Sequence, residues 1–253
     1  PDFIQTMMDN KWLGSKTGQG FYKKIKHDDG SSEIKSLDID KMDYRDGQKA
    51  KFDTLEKTKK IDEVADRFPV LVDGDDKAGK FYRANFASLF AYVQNRIPEI
   101  TDAIYKIDDA MKAGFGWQHG PFEIWDAIGV EKGIQLMKDH GFDVTDWVHH
   151  FAEQKEATFY TIKSGQTYCY DIDQKEHAKI PGQDAFIILD NIRESKEIMS
   201  NKDLVATDLG DGIMNIEFRS KMNSIGGDVL NGVNAAMDIA ERDYDGVVIS
   251  NTG

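Results

Sequence analysis

The chain has one cysteine in 253 residues, Cys169, which excludes an internal disulfide and suits a reducing compartment. It is also short of positive charge: 32 Lys and Arg face 45 Asp and Glu, a formal net charge of −13. Phosphate backbones are held by clustered basic side chains, so DNA or RNA is not expected as a partner. Long hydrophobic runs are missing as well. The apolar run 185–189 falls far short of the ~20 residues that a spanning helix needs, so no membrane span is expected. No basic-then-apolar signal segment opens the sequence, and a cytoplasmic location is the expectation. The loop around Gly18 and Gly20 lacks the Gly-x-Gly-x-x-Gly spacing of a dinucleotide cradle, and no buried strand precedes it. A tight turn that lets Phe21 and Tyr22 swing onto the core is the better reading. The six histidines show no metal signature; His149 and His150 are adjacent and diverge by roughly 100° on a helix.

What is present divides into four stretches. Residues 1–60 hold a short helical end (Phe3, Ile4, Met7, Met8), the glycine loop, a small hairpin turning at Asp28-Asp29-Gly30, and a polar connector from about residue 41. Residues 61–155 read as a helical domain able to fold by itself. Phe86, Leu89, Phe90, Val93, Ile97, Ile100 and Ile104 share one helix face, and Pro98 marks a kink or break. Pro121 opens a new helix with Phe122, Trp125 and Ile128 inward, Ile134 and Met137 continue the buried face to Gly141, and Trp147 begins a last short helix. Residues 156–202 read as a β-hairpin, turning at Ser164-Gly165, and a linker. Residues 203–253 read strand, strand, helix, strand, with Ile225, Val229, Leu230, Val233, Met237 and Ala240 inward and 246–250 as a buried strand whose continuation is missing. With Pro1 in place of an initiator Met, an excised piece of a longer enzyme is expected.

Few side chains announce chemistry. His119, before Gly120-Pro121, stands where a base at a helix start would stand, but a hydrogen-bonded loop histidine is the plainer reading. Asp75-Asp76 and Asp108-Asp109 read as solvated or capping carboxylates. Trp117, Phe122 and Trp125 have the spacing of core packing rather than of a ligand stack. No acid/base pair is assignable from spacing, and neither catalytic nor metal-binding residues are expected.

Three ordered motifs carry a resemblance. Trp12-Leu13-Gly14 with Lys16-Thr17-Gly18-x-Gly20-Phe21-Tyr22 resembles the close of the 3-hydroxyacyl-CoA dehydrogenase C-terminal domain. Asn95-Arg96-Ile97-Pro98-Glu99, Ile107-Asp108-x-Ala110-Met111, Gly114-Phe115-Gly116-Trp117 and Gly120-Pro121-Phe122-x-x-Trp125-Asp126 resemble a second copy of it. The stretch from Asp208-Leu209-Gly210 through Lys221-Met222-Asn223 resembles the opening of the crotonase fold of enoyl-CoA hydratases. The resemblance implies a mainly α chain with small β elements: a dehydrogenase C-terminal-type helical domain, a β-hairpin tether and a truncated crotonase-like ββαβ start. It implies a bifunctional β-oxidation parent that oxidises 3-hydroxyacyl-CoA with NAD and hydrates 2-enoyl-CoA. NAD belongs to a preceding Rossmann domain, with no cofactor held by these residues. Acyl-CoA is the implied substrate, a homo-oligomer the implied assembly, and Lys221 the one implied substrate contact; Asn95 is given a structural role. The alternatives are a non-catalytic interaction or scaffold module, or the helical domain of another Rossmann dehydrogenase.

Overall fold

The computed structural model describes residues 1–251 and separates into two compact units, Pro1–Phe52 and Asp53–Gly253. In the first, α1 (Asp2–Asp9) precedes an antiparallel sheet of β1 (Tyr22–Lys26), β2 (Ser32–Asp38) and β3 (Asp43–Asp46) in that order. The expected hairpin is there, pairing Tyr22 with Ser36, and β3 occupies part of the expected connector. Met7 and Leu37 are buried, but Phe21 and Tyr22 are exposed, which corrects the inward role foreseen for them.

The second unit begins with α2 (Asp53–Thr58), also inside the expected connector, where Thr54 and Thr58 are buried. The helices α3 (Val64–Asp73), α4 (Lys77–Gln94), α5 (Ile104–Phe115), α6 (Pro121–Ile128), α7 (Val130–Asp139) and α8 (Asp146–Ala152) follow. Asp76 caps α4 by accepting from Gly79 N at 3.0 Å, and it also accepts from Thr54 N at 3.0 Å and Thr54 Oγ1 at 2.8 Å. The N–H groups of Thr54 and Gly79 hold its carboxyl down to about 2. One carboxylate thus starts α4 and anchors α2.

The apolar spacing across 86–104 belongs to two helices. Pro98 has no N–H to bond back to Gln94, and it disfavours helical backbone at Ile97, so α4 ends at Gln94. Phe86, Phe90, Val93, Ile97 and Ile104 remain buried, whereas Ile100, in the intervening turn, is 68% exposed. Trp125 is completely buried in the centre of this layer. Its ring stacks on Phe90 at 4.7 Å and lies 5.2 Å from Phe159, and its Nε1 donates to Val130 O at 3.1 Å. Gly133 is the residue that lets α7 approach: a Cβ there would strike the indole nitrogen. Trp117, assigned to the same core from its spacing, lies in the loop before α6 and is 38% exposed.

The strands β4 (Tyr160–Lys163), β5 (Gln166–Asp171) and β6 (Glu176–Lys179) form an antiparallel sheet, one strand more than the expected hairpin. Ser164 and Gly165 both take positive φ, 50° and 76°, the two-residue turn whose twist suits a hairpin. The tether reading fails here. Phe159, Cys169 and Tyr170 are buried in the same core as Phe90 and Trp125, and Phe151 stacks on Phe159 at 4.6 Å. The helical layer has an apolar face that this sheet covers.

After α9 (Leu189–Ile192), the strands β7 (Glu197–Ser200), β8 (Leu204–Gly210) and β9 (Ile213–Phe218), the helix α10 (Gly227–Asp243) and β10 (Gly246–Ile249) make a four-stranded sheet in the order β10-β9-β8-β7. The expected strand-strand-helix-strand order is present, with β7 added ahead of it and β10 parallel to β9. Leu204, Ala206, Met214, Ile216, Ala236 and Ala240 form its core. The inward face of α10 is Val229, Gly232, Ala236 and Ala240. Leu230 and Met237 of α10, and Ile225 just before it, are exposed, correcting their inward assignment. Small residues fit α10 against the sheet, so the larger ones point away. The strand β10 is an edge, with Val248 and Ile249 exposed rather than buried. On the opposite sheet face Glu217 is buried, taking Arg193 Nε and Nη2 at 3.0 and 2.8 Å and Arg219 Nη1 at 3.2 Å, while Arg219 also reaches Glu63 at 3.1 Å. With ten helices and three small sheets among the described residues, the architecture is mixed α/β rather than mainly α.

Because β4–β6 complete the core, the span 61–155 expressed alone should melt without cooperativity, and 53–185 should melt cooperatively. Circular dichroism with thermal denaturation of the two spans checks this; a cooperative melt of 61–155 would restore the shorter domain.

Candidate functional site

The residues with the strongest chemical character meet where α5, α6 and β4 join. Asp108 has no solvent exposure. Its Oδ1 accepts from Phe122 N at 2.9 Å, and its Oδ2 accepts from Glu123 N at 3.1 Å and from the Tyr160 hydroxyl at 2.7 Å. It therefore caps α6 from a neighbouring helix, at the end where the helix dipole favours negative charge. Gly120 makes the approach possible, because a Cβ there would collide with the Asp108 side chain. The Glu123 carboxylate closes the same turn by accepting from Gly120 N at 2.8 Å.

One turn along α6, Asp126 accepts from Phe159 N at 2.7 Å and from Tyr160 N at 2.9 Å, fixing the chain as it enters β4. Lys112 of α5 sits 2.7 Å from Glu123 and 3.3 Å from Asp109. His119 packs edge-on to Phe68 at 5.8 Å, with Nδ1 4.0 Å from Glu123, beyond hydrogen-bond length. The loop position foreseen for it stands. Its partners are a ring and a carboxylate rather than a hydrogen bond.

Burial dominates the electrostatics. It pushes the Asp108 carboxyl up to about 7 against the Phe122 N–H and the Tyr160 hydroxyl, which favour the charged form, and the Glu123 charge adds to the rise. Asp126 is likewise pushed up to about 7 by burial, against the N–H groups of Phe159 and Tyr160, with Asp108 and Glu123 raising it further. Burial raises the Tyr160 phenol and brings the Cys169 thiol to about 12, so Cys169 is a packing residue and not a nucleophile. Burial also pulls Lys112 down, but its bonds to Glu123 and Asp109 outweigh this and leave it raised.

A cavity of about 680 Å³ opens beside the junction, lined by Lys112, His119, Glu123, Asp126, Tyr160 and Asn191 among others. Of the solvated or capping carboxylates expected at 108 and 109, Asp109 is exposed, while Asp108 is a cap with no solvent at all. Lys221 lies elsewhere, exposed in the short turn Lys221–Asn223 after β9 and outside the cavity lining. Asn95 is exposed at the end of α4, its amide donating to Ala91 O at 2.8 Å. Among the described residues no group of three His, Cys, Asp or Glu side chains could hold a metal ion. The Gly18 loop leads into strand β1, so no helix N-terminus follows it to receive a pyrophosphate.

Residues 88–168 match the 3-hydroxyacyl-CoA dehydrogenase C-terminal domain family. The match runs from inside α4 to β5, taking in Asp108, Glu123, Asp126 and Tyr160 and passing beyond residue 155 into the sheet. The whole chain aligns with a "Probable 3-hydroxyacyl-CoA dehydrogenase" of Bacillus subtilis (strain 168), 34% identical over 254 residues, 100% of this chain and 31% of the relative. A "Putative fatty acid oxidation complex trifunctional enzyme" of Rickettsia prowazekii is 24% identical over 236 residues, 93% of this chain and 28% of that protein. Its namesake in Rickettsia felis is 28% identical over 121 residues, 48% of this chain and 15% of that protein. The chain thus spans less than a third of the length of these relatives. No solved structure matches it.

Asp108→Ala should leave two N–H groups and a hydroxyl without partners, at a cost of about 3 kcal/mol, and Gly120→Ala should destabilise by steric displacement of the same carboxylate. Urea denaturation of both variants measures this. An Asp108→Ala midpoint equal to that of the parent chain would show that the cap contributes nothing.

Proposed function

We propose that this chain is the substrate-side and connecting part of an NAD-dependent 3-hydroxyacyl-CoA dehydrogenase of fatty acid oxidation. The observation that carries the reading is the alignment of all its residues with the Bacillus subtilis relative, whose printed name is that activity. The family match over the α4–β5 body supports it. In this reading the chain supplies packed helices and a sheet, while NAD is held by a Rossmann domain of the longer protein. When bound, NAD accepts the hydride from the 3-hydroxyacyl-CoA. The names of the Rickettsia relatives favour a multifunctional parent, and the strand-strand-helix-strand end is proposed as the opening of a crotonase-like hydratase part. Lys221, exposed at the turn after β9, is proposed to meet the acyl-CoA there. A cytoplasmic homo-oligomer completes the proposal.

Two preparations test it. The full reading frame that encodes these residues should form NADH from a 3-hydroxyacyl-CoA, and its failure to do so would sink the assignment. The 253-residue chain alone should give neither turnover nor NAD binding by calorimetry. Micromolar NAD binding by it would overturn the division of labour while leaving the activity in place.

A further inference from the structure

The segment 183–191 is pinned at both ends to one residue of β5, Thr167. Gln183 Oε1 accepts from Thr167 N at 3.1 Å, and Asn191 Nδ2 donates to Thr167 Oγ1 at 2.8 Å and to Gly165 O at 3.3 Å. Lys179 pairs with Asp184 beside the first pin. Between the pins, residues 186–188 belong to no helix or strand, and Phe186 and Ile187 are 68% and 56% exposed. Contiguous apolar surface held in water marks a place that another group covers. The same segment forms part of the wall of the cavity beside the α5–α6–β4 junction, through Gln183, Ile188, Asp190 and Asn191. Ile162 of β4, also on that wall, is 53% exposed.

The chemistry of the lining narrows what can enter. Lys112 is engaged by Glu123 and by Asp109, Asp126 by the N–H groups of Phe159 and Tyr160, and Asp190 by Arg193. The carboxylates Asp109, Glu123, Asp126 and Asp190 outnumber the basic Lys112 and His119, so a phosphate is not favoured inside. The polar groups left without a hydrogen bond among the described residues are neutral: the Gln183 amide nitrogen, the Asn191 amide oxygen and the Thr161 hydroxyl. Such groups meet the carbonyl and N–H of an amide-bearing guest. Ile162, Ile180 and Ile188 add apolar contact, and about 680 Å³ is the size of an ordinary small-molecule site.

We infer that this cavity takes the neutral acyl-pantetheine arm of an acyl-CoA, and that the 183–191 loop is a lid whose Phe186 and Ile187 close over the acyl chain. The inference rests on the acyl-CoA activity proposed above and leaves the phosphates of CoA outside the cavity. The amides and hydroxyl of pantetheine suit Gln183, Asn191 and Thr161, while its methyl groups and the acyl chain suit the isoleucines. The two pins define what moves. Thr167 holds both ends of the loop, so closure changes only the tip and leaves β5 and the core in place.

The test adds octanoyl-pantetheine, which carries no phosphate, to the 253-residue chain. Calorimetry should show saturable binding. Amide exchange at Phe186 and Ile187 should slow roughly tenfold in the complex, while Ala206 and Ile216 of the terminal sheet keep their rates. Phe186→Ser combined with Ile187→Ser should weaken binding roughly tenfold through the lost apolar cover. Octanoyl-CoA should bind no tighter than octanoyl-pantetheine. No binding, unchanged affinity in the double variant, or octanoyl-CoA binding more than about tenfold tighter overturns the site. Should the double variant fail to fold, exchange at Phe186 and Ile187 in the unsubstituted chain decides. NADH formation by the full reading frame alongside any overturning result would keep the proposed activity and remove only this cavity from it.

Discussion

The burial of Trp125 is the constraint on which the larger unit depends. The indole is fully enclosed and meets four elements: Phe90 of α4, Phe122 of its own helix, Phe159 at the entry to β4, and the glycine face of α7. Aromatic rings contribute large apolar area together with a preference for offset or edge contacts, so they fix orientation as well as proximity. The indole nitrogen needs an acceptor once buried, and the carbonyl of Val130 supplies it across the Gly129 turn. Sheet and helices therefore share one core, and neither layer can bury its apolar face without the other.

Around that apolar centre, carboxylates tie the elements in register. Asp76 joins α2 to the start of α4, Asp108 joins α5 to the start of α6 and to β4, and Asp126 joins α6 to the same strand. Glu217 performs the comparable task in the terminal sheet, drawing Arg193 and Arg219 together and, through Arg219, reaching Glu63. The last is an ion network with opposite charges in place. The Asp108–Asp126 junction is held by neutral donors alone, and burial raises both carboxyls against them.

The helices were legible where periodicity and punctuation agreed. Pro121, Phe122, Trp125, Ile128 and Gly141 mark the start, buried face and close of their segments, and each does so in the structure. Spacing failed where an apolar residue had the right interval on an absent helix, as at Ile100 and Trp117. It failed in part on α10, where Val229 and Ala240 are inward as expected but Gly232 and Ala236 take the buried face from Leu230 and Met237. A one-dimensional pattern counts hydrophobicity, whereas close packing against a sheet selects for small volume. The candidate site was less visible. Asp108, Asp126 and Tyr160 lie up to 52 positions apart, and no local signal links them. A hint was present in Gly120, since a glycine directly before a helix-opening proline leaves room for an incoming carboxylate.

By itself, the sequence determined the helical segments, the Ser164-Gly165 turn, the strand-strand-helix-strand order of the last fifty residues, and the ordered motifs that resemble the dehydrogenase family. These are consequences of short-range rules: period, capping, turn geometry and the missing N–H of proline. Tertiary structure alone decided that β4–β6 close the helical core, that α10 turns its small residues inward, and that two aspartates from different helices converge on Tyr160. Burial and charge proximity depend on which surfaces meet in space, and sequence separation does not encode that distance.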